Sequence, residues 1–345
     1  MSTDVNSILQ KLNSGINLTE DEAYNAIIAI NNDEMTDIQI MSFQVALLMK
    51  GPTLDEISAI AKAMRDICIH VSPKIDQELM DTCGTGGGIS TFNISTATAF
   101  VAAAAGIKVA KTGSKSNMNL TGSADVLEAL GIVIEQSPKG VERLIEEVGI
   151  AFLYAPIFHP VMKKMLHPEK ELGIKTIFYT IIGPLINPAN ATRHLMGVYK
   201  PELLDKVSRV ALDLGYSRAI FAYGEDGMDE ISLLGKSRIN ELKNGEIQSY
   251  TITPEDLGLS RCRPLDIITG TPEANALMIR DVFSGKNKGP HRQAVLLNSA
   301  AALMIGEKAD SLKEGVELAK EIIDSGLAQR KLNELTEASH EYKDL

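Results

Sequence analysis

The chain has 345 residues, 44% hydrophobic and 23% charged, proportions that suit a globular protein built either as one large α/β unit or as two unequal domains. Its formal net charge of −11 repels a nucleic-acid backbone unless basic residues cluster on one face, and no basic run occurs. Three widely spaced cysteines, Cys68, Cys83 and Cys262, offer no CxxC metal spacing and fit a reducing, cytoplasmic compartment, while no uncharged apolar run is long enough to span a bilayer.

The first seventy residues read as helical. Thr19 with Glu22, Thr36 with Gln39 and Thr53 with Glu56 are capping boxes, in which a threonine hydroxyl and an acid or amide three residues on satisfy each other's backbone amides. They predict helices over 21–30, 37–49 and 54–68. Apolar residues recur at helical spacing within them, as in Ile57, Ile60, Ala61 and Met64. The expectation is a small helical domain over 1–72, completed by part of 160–190.

From about residue 73 the pattern changes. Short β-like runs at 108–110, 151–154 and 218–222 alternate with helical stretches at 201–214, 272–283 and 293–305. Such alternation predicts an α/β domain over 73–345 with a mainly parallel central sheet. The stretch 311–339 reads as a polar amphipathic helix or pair of helices.

The most informative segment runs from Asp81 to Thr96. Gly84, Gly86, Gly87 and Gly88 crowd into five positions, where the lack of Cβ atoms lets the backbone approach an anion closely. Thr91, Asn93, Ser95 and Thr96 follow where the loop turns into an alanine-rich helix, whose N-terminus favours negative charge. Phosphate is the natural ligand. The pattern is neither the GxxxxGK[ST] nucleotide loop nor the GxGxxG dinucleotide fingerprint. Further along, Asp229-Glu230 sits within Gly224-Glu225-Asp226-Gly227-Met228 after a strand. Adjacent loop carboxylates of this kind suit Mg²⁺, a hard cation that takes oxygen ligands.

Taken in order, GTGG before TFNIST, KTGSKSNMNLTGSADVLEALG, GIKTIF, GPLINP, GEDGMDEISL and AVLLN resemble anthranilate phosphoribosyltransferase over most of the chain. The resemblance implies a helical domain joined to a larger α/β domain, a homodimer formed through the helical domain, and Mg²⁺ as cofactor. It implies that phosphoribosyl pyrophosphate meets Gly84, Thr85, Gly87, Thr91, Asn93, Ser95, Thr96, Lys111, Gly113, Asn119 and Ser123, with Ser95, Asp229 and Glu230 serving the metal. An aromatic amine is then expected against Gly84, Thr112, Ser114, Glu169 and Tyr179. In the implied reaction the acceptor nitrogen displaces pyrophosphate from C1 of the ribose, helped by positioning and by metal stabilisation of the leaving group rather than by an assigned acid or base.

The departures from that pattern fall on the site. The family's GTGGD ends here in Gly88, and its KHGNR becomes Lys111-Thr112-Gly113-Ser114-Lys115. Paired serines give way to Met118 and Asn119. Glu169 stands where the family places an arginine for the anthranilate carboxylate, and Tyr179 where it has an asparagine. A carboxylate facing a carboxylate is repulsive in a partly desolvated pocket. Anthranilate is the expected acceptor; the alternatives are a different, non-anionic acceptor, a phosphorylase-like activity, or a non-catalytic dimer that binds a ligand or nucleic acid. Of the remaining candidates, His159 and His167 have no zinc spacing and suit structural or acceptor-channel roles, His194 and His291 stand isolated, and Cys83 reads as a small residue beneath the phosphate loop.

Overall fold

A computed structural model describes residues 4–116, 121–174 and 176–345. Helices α1 (Val5–Asn13), α2 (Glu20–Asn31), α3 (Asp37–Lys50) and α4 (Leu54–Asp66) form the N-terminal helical domain, and all three predicted capping boxes close at the starts of α2, α3 and α4. The α/β domain begins with β1 (Met80–Asp81), α5 (Ile94–Ala104), β2 (Val109–Gly113), α6 (Ser123–Ala129), α7 (Pro138–Arg143) and β3 (Ile150–Tyr154). It continues through α8 (Ala155–Phe158), α9 (Pro160–Leu172), α10 (Gly183–Leu185), β4 (Arg193–Gly197), α11 (Pro201–Asp213), β5 (Arg218–Gly224), β6 (Ser237–Lys243) and β7 (Glu246–Ile252). Helices α12 (Pro272–Phe283), α13 (Pro290–Ile305), α14 (Leu312–Asp324) and α15 (Leu327–Glu341) complete it.

The strands form one seven-stranded sheet in the order β3-β2-β1-β4-β5-β6-β7, parallel as far as β5 and antiparallel beyond. The chain moves outward from β1 through β2 to β3, then returns to place β4 on the other side of β1. That reversal is a topological switch point, the place where open α/β sheets bind ligands beyond the carboxyl ends of their strands. The β6–β7 hairpin was not anticipated, although its turn is Asn244-Gly245, the dipeptide that favours the two positive-φ positions of a tight hairpin. Those residues adopt φ of 53° and 78°.

Successive strand residues point to opposite faces. On β5, Ile220 and Ala222 join a core covered by α5, α13, α14 and α15, whereas Ala219 and Phe221 join a second core shared with α11 and the helical domain. Val161, Met165, Phe178 and Leu185, from 160–190, also lie in the second core. There the Phe43 and Phe178 rings stand 6.1 Å apart, joining α3 to a π-helical turn at Phe178–Ile182. Among the described residues no helix is long and apolar enough to cross a membrane.

Candidate active site

A cavity of about 340 Å³ opens beyond the carboxyl ends of β1, β2 and β4, within the size range of small-molecule sites. Its floor is the glycine loop that leaves β1 at the switch point. Thr85 pins the loop: its N–H donates to the Gly197 carbonyl at 2.9 Å, and its hydroxyl accepts the Tyr199 N–H at 3.1 Å. Gly86 and Gly87 take φ of 62° and 94°, which other residues adopt only with strain.

Gly88 explains the loop's missing carboxylate. A Cβ there would come within 2.6 Å of the Gly227 carbonyl and 2.7 Å of Asp229 Oδ1, while Ile89 donates its N–H to Gly227 at 3.1 Å. The phosphate loop and the acidic loop therefore lie against each other, leaving no side-chain space between them. Gly197 closes the same junction from β4, since a Cβ on it would overlap the Asp229 carbonyl at 1.6 Å. Nothing in the sequence around Gly197 signalled that contact.

Asp229 and Glu230 line the cavity opposite this loop. Asn298, on α13, holds the following residue at both ends, accepting the Ile231 N–H at 3.0 Å and donating to its carbonyl at 3.1 Å. Burial pushes the Glu230 carboxyl up to about 8, and the neighbouring Asp229 charge adds to the rise; Lys111 and the Ser95 N–H oppose it. Asp229 and Glu230, the latter driven toward its neutral form by burial and its neighbour's charge, present only oxygen donors beside the Ser95 end of α5, and a bound cation would favour the ionised Glu230. That arrangement fits a divalent hard cation such as Mg²⁺.

Gly84, Thr85, Gly87, Thr91, Asn93, Ser95, Lys111, Gly113 and Ser123 all line the cavity. Lys111 lies within β2 rather than beyond its end; it is buried, and its ammonium donates to the Thr82 carbonyl at 3.0 Å. Asn93 spends its amide on the fold, donating to Thr121 O at 3.2 Å and accepting from Asn275 at 2.9 Å. Thr96 is different. Its side chain is fully buried in the core and is absent from the cavity wall, because the residue after Ser95 is turned about 100° around α5 and faces inward. Asn119 and Met118 lie outside the described residues.

At the acceptor end the wall is largely apolar, built from Ala155, Pro156, Met162, Leu166, Pro184 and Ile186, with Ser114 and Tyr179 adding hydroxyls. Tyr179 rides on the π-helical turn and hydrogen-bonds Ser114; burial raises its phenol above the ordinary range. Thr112 lines the cavity too, but its hydroxyl lies 2.5 Å from Asp81 Oδ2 and serves the scaffold.

Glu169 corrects the expectation that it faces the acceptor. It is buried and absent from the cavity lining; its carboxylate accepts from Gln44 Nε2 at 3.0 Å and from the Thr176 hydroxyl. Gln44 lies 125 positions away on α3, so no local pattern marked the pairing.

Asp81, Cys83 and His194 bring one carboxylate, one thiol and one imidazole within 4.8 Å under the loop. Asp81 already accepts from Thr82 N, Thr112 N, Thr112 Oγ1 and Asn187 Nδ2, between 2.5 and 3.1 Å, and His194 Nε2 lies 2.9 Å from the Cys83 carbonyl. The group is a hydrogen-bonded scaffold under the loop. Burial and the Asp81 charge hold the Cys83 thiol well above its ordinary range, against a nucleophilic role.

Residues 76–329 match the Glycosyl transferase family, a/b domain, and residues 6–68 match its helical bundle domain. The anthranilate phosphoribosyltransferase of Acetivibrio thermocellus is 48% identical over 335 residues, covering 97% of this chain and 96% of the relative. That of Petrotoga mobilis is 47% identical, covering 96% of each. The crystal structure of the Thermus thermophilus anthranilate phosphoribosyltransferase superimposes with a TM-score of 0.90 at 38% identity, over 96% of this chain and 99% of that one. The Saccharomyces cerevisiae enzyme in complex with PRPP and Mg gives 0.89 at 26% identity, over 99% of each. With both domains matched and nearly its whole length covered, the chain belongs to the anthranilate phosphoribosyltransferase family, pentose-transferring enzymes among the glycosyl transferases.

Proposed function

We propose that this protein moves the phosphoribosyl group of phosphoribosyl pyrophosphate to the amino nitrogen of anthranilate, with Mg²⁺ held at Ser95, Asp229 and Glu230. The observation that carries the reading is the division of one cavity into two chemistries: a glycine loop at the switch point facing paired carboxylates, and an apolar recess bounded by α8, α9 and the π-helical turn. The first suits a metal-bound pyrophosphate and the second an aromatic ring. Glu169 is held by Gln44 and Thr176 instead of lining the recess, which weakens the like-charge argument against an anionic acceptor, although its charge still reaches the wall at Tyr179.

The chain's own groups act chiefly by positioning. Backbone amides of Gly84 and residues 86–88 and the Ser123 hydroxyl hold phosphate oxygens, the Thr85 amide being spent on the Gly197 carbonyl, while the buried Lys111 ammonium adds positive charge beneath them. Mg²⁺ bound at the acidic loop would offset the charge of the departing pyrophosphate. The apolar recess keeps the acceptor ring desolvated and aimed at the ribose, so that the two reactants meet at high effective concentration. Relatives and solved structures named for anthranilate support this acceptor and give no support to a different acceptor, phosphorolysis or a nucleic-acid-binding dimer.

Pyrophosphate release from phosphoribosyl pyrophosphate and Mg²⁺ tests the reading, comparing anthranilate with neutral and cationic aromatic amines and with no acceptor. Release that depends on anthranilate is expected; release only with another amine overturns the acceptor. A homodimer through the helical domain is part of the same proposal. It is supported by an apolar stripe on α3, in which Ile38, Leu48 and Met49 are exposed and Met41 and Val45 half-buried. Light scattering of the wild type and of Ile38→Glu checks it, with a dimer expected for the first and a monomer for the second.

A further inference from the structure

Two successive lysines on α9 have different fates. Lys164 turns to the helical domain, where its ammonium lies 2.6 Å from Asp33 Oδ1 and 2.8 Å from the Asn31 carbonyl. Lys163 lines the cavity between His159 and Leu166, and among the described residues it forms no hydrogen bond or ion pair.

The other cavity lysines are committed elsewhere. Lys111 is buried against Thr82 at the phosphate end, and Lys115 pairs with Glu128 at 2.8 Å. The carboxylates that line the cavity, Asp229 and Glu230, belong to the phosphate end, while Glu169 on the same helix as Lys163 is bound by Gln44 and Thr176. Among the described residues the recess thus combines an apolar wall with one unpaired cation on a flexible stem. An aromatic amine that also carries an anionic group satisfies both features.

We propose that Lys163 binds the carboxylate of the aromatic acceptor and makes the site prefer an anionic amine over its neutral counterpart. This rests on the reading of anthranilate as acceptor. Lys163 acts in binding and selectivity; it takes no proton and forms no bond to the transferred group. The ring packs on Met162 and Leu166 while the ammonium meets the carboxylate, which turns the amino nitrogen toward the ribose.

The test compares kcat/KM for anthranilate with that for 2-aminobenzamide, its neutral isostere, in the wild type, Lys163→Gln and Lys163→Arg. Lys163 is exposed and its charge is screened by solvent, so Lys163→Gln is expected to lower the anthranilate preference by about three- to fivefold through a higher anthranilate KM. Lys163→Arg is expected to keep most of the preference, and the KM for phosphoribosyl pyrophosphate to stay within about twofold of the wild type. A preference unchanged in Lys163→Gln overturns the proposal. Calorimetric titration of anthranilate onto the wild type and Lys163→Gln, with pyrophosphate and Mg²⁺ in place of phosphoribosyl pyrophosphate so that no turnover occurs, separates the two layers when set beside the release assay. Anthranilate binding that depends on Lys163 but yields no pyrophosphate release would sink the acceptor assignment and leave Lys163's role standing, whereas equal binding, or none by either protein, overturns that role.

Discussion

Gly88 and Asp229 touch without room for a side chain between them: a Cβ on Gly88 would lie 2.7 Å from Asp229 Oδ1 and 2.9 Å from its backbone nitrogen. Where the family motif carries an aspartate, this chain packs one loop directly on the other. Gly88→Asp, the change that restores the family residue, is therefore expected to damage the enzyme. Forcing atoms into a close-packed junction costs about 1–3 kcal/mol, and the displaced Asp229 loses its place opposite the phosphate loop. A lower urea midpoint together with reduced kcat/KM is the expected result; a gain in activity would show that the loops can part to admit the side chain.

The acidic loop should govern metal dependence more than stability. Glu230 is buried beside Asp229, with Lys111 as the nearby cation that offsets its charge. Neutralising either acid weakens the oxygen donor set without removing a favourable charge pair: Asp229→Asn lifts the charge that opposes Glu230 ionisation, and Glu230→Gln replaces a buried group that burial already holds near its neutral form. Asp229→Asn and Glu230→Gln are thus expected to raise the Mg²⁺ concentration for half-maximal activity by roughly 10–100-fold, with unfolding midpoints equal to or above the wild type. Titrating Mg²⁺ against initial rate checks the first part and urea denaturation the second. An unaltered Mg²⁺ response in both variants would remove the metal from this loop.

Glu56 joins three parts of the helical domain. Its buried carboxylate accepts the Leu18 N–H at 2.8 Å, the Thr53 N–H at 2.7 Å and the Lys50 ammonium at 2.8 Å, so one side chain caps α4, secures the α1–α2 connection and neutralises α3's last lysine. Removing it takes the carboxylate from Lys50, whose ammonium keeps only the Asn17 side chain and the Gly51 carbonyl, and leaves the Leu18 and Thr53 amides without their acceptor. Glu56→Ala is expected to lose about 3 kcal/mol or more, measured by urea unfolding, while a loss below about 1 kcal/mol would mean that water replaces the carboxylate.

Features set by neighbours in the chain were legible in the sequence, and those set by distant partners were not. The threonine and its acid in each capping box lie three residues apart, so their bond forms within one turn and the pattern can be read directly. The glycine loop was legible because its backbone demands leave a compositional trace. The fate of Glu169 depends on Gln44 in another domain and on Thr176 beyond the end of α9, and chain order alone aimed it at the acceptor. The burial of the Thr96 side chain has a related reason: adjacency to Ser95 does not place the two side chains on the same helix face. The Asn244-Gly245 hairpin was written locally and could have been found by its turn.

His159 gives the pH prediction its sign. The ring is buried in the cavity wall, and burial lowers its pKa from 6.5 to about 4, only partly opposed by a hydrogen bond to the Ile186 backbone; Nδ1 has no partner among the described residues. In the unfolded chain the imidazole takes a proton near 6.5, whereas the folded protein refuses it until about 4. Between those values the unfolded state binds more protons, so stability falls as pH drops through the window, with no effect from this group above it and no further loss below it. At about 1.4 kcal/mol per pKa unit the whole effect is on the order of 3 kcal/mol. His159→Gln removes the titration, so its urea midpoint should fall less between pH 7.5 and 4.5 than that of the wild type, even if the variant starts from a lower value. Parallel curves for the two proteins would mean that the buried ring is protonated as readily in the folded chain as in the unfolded one.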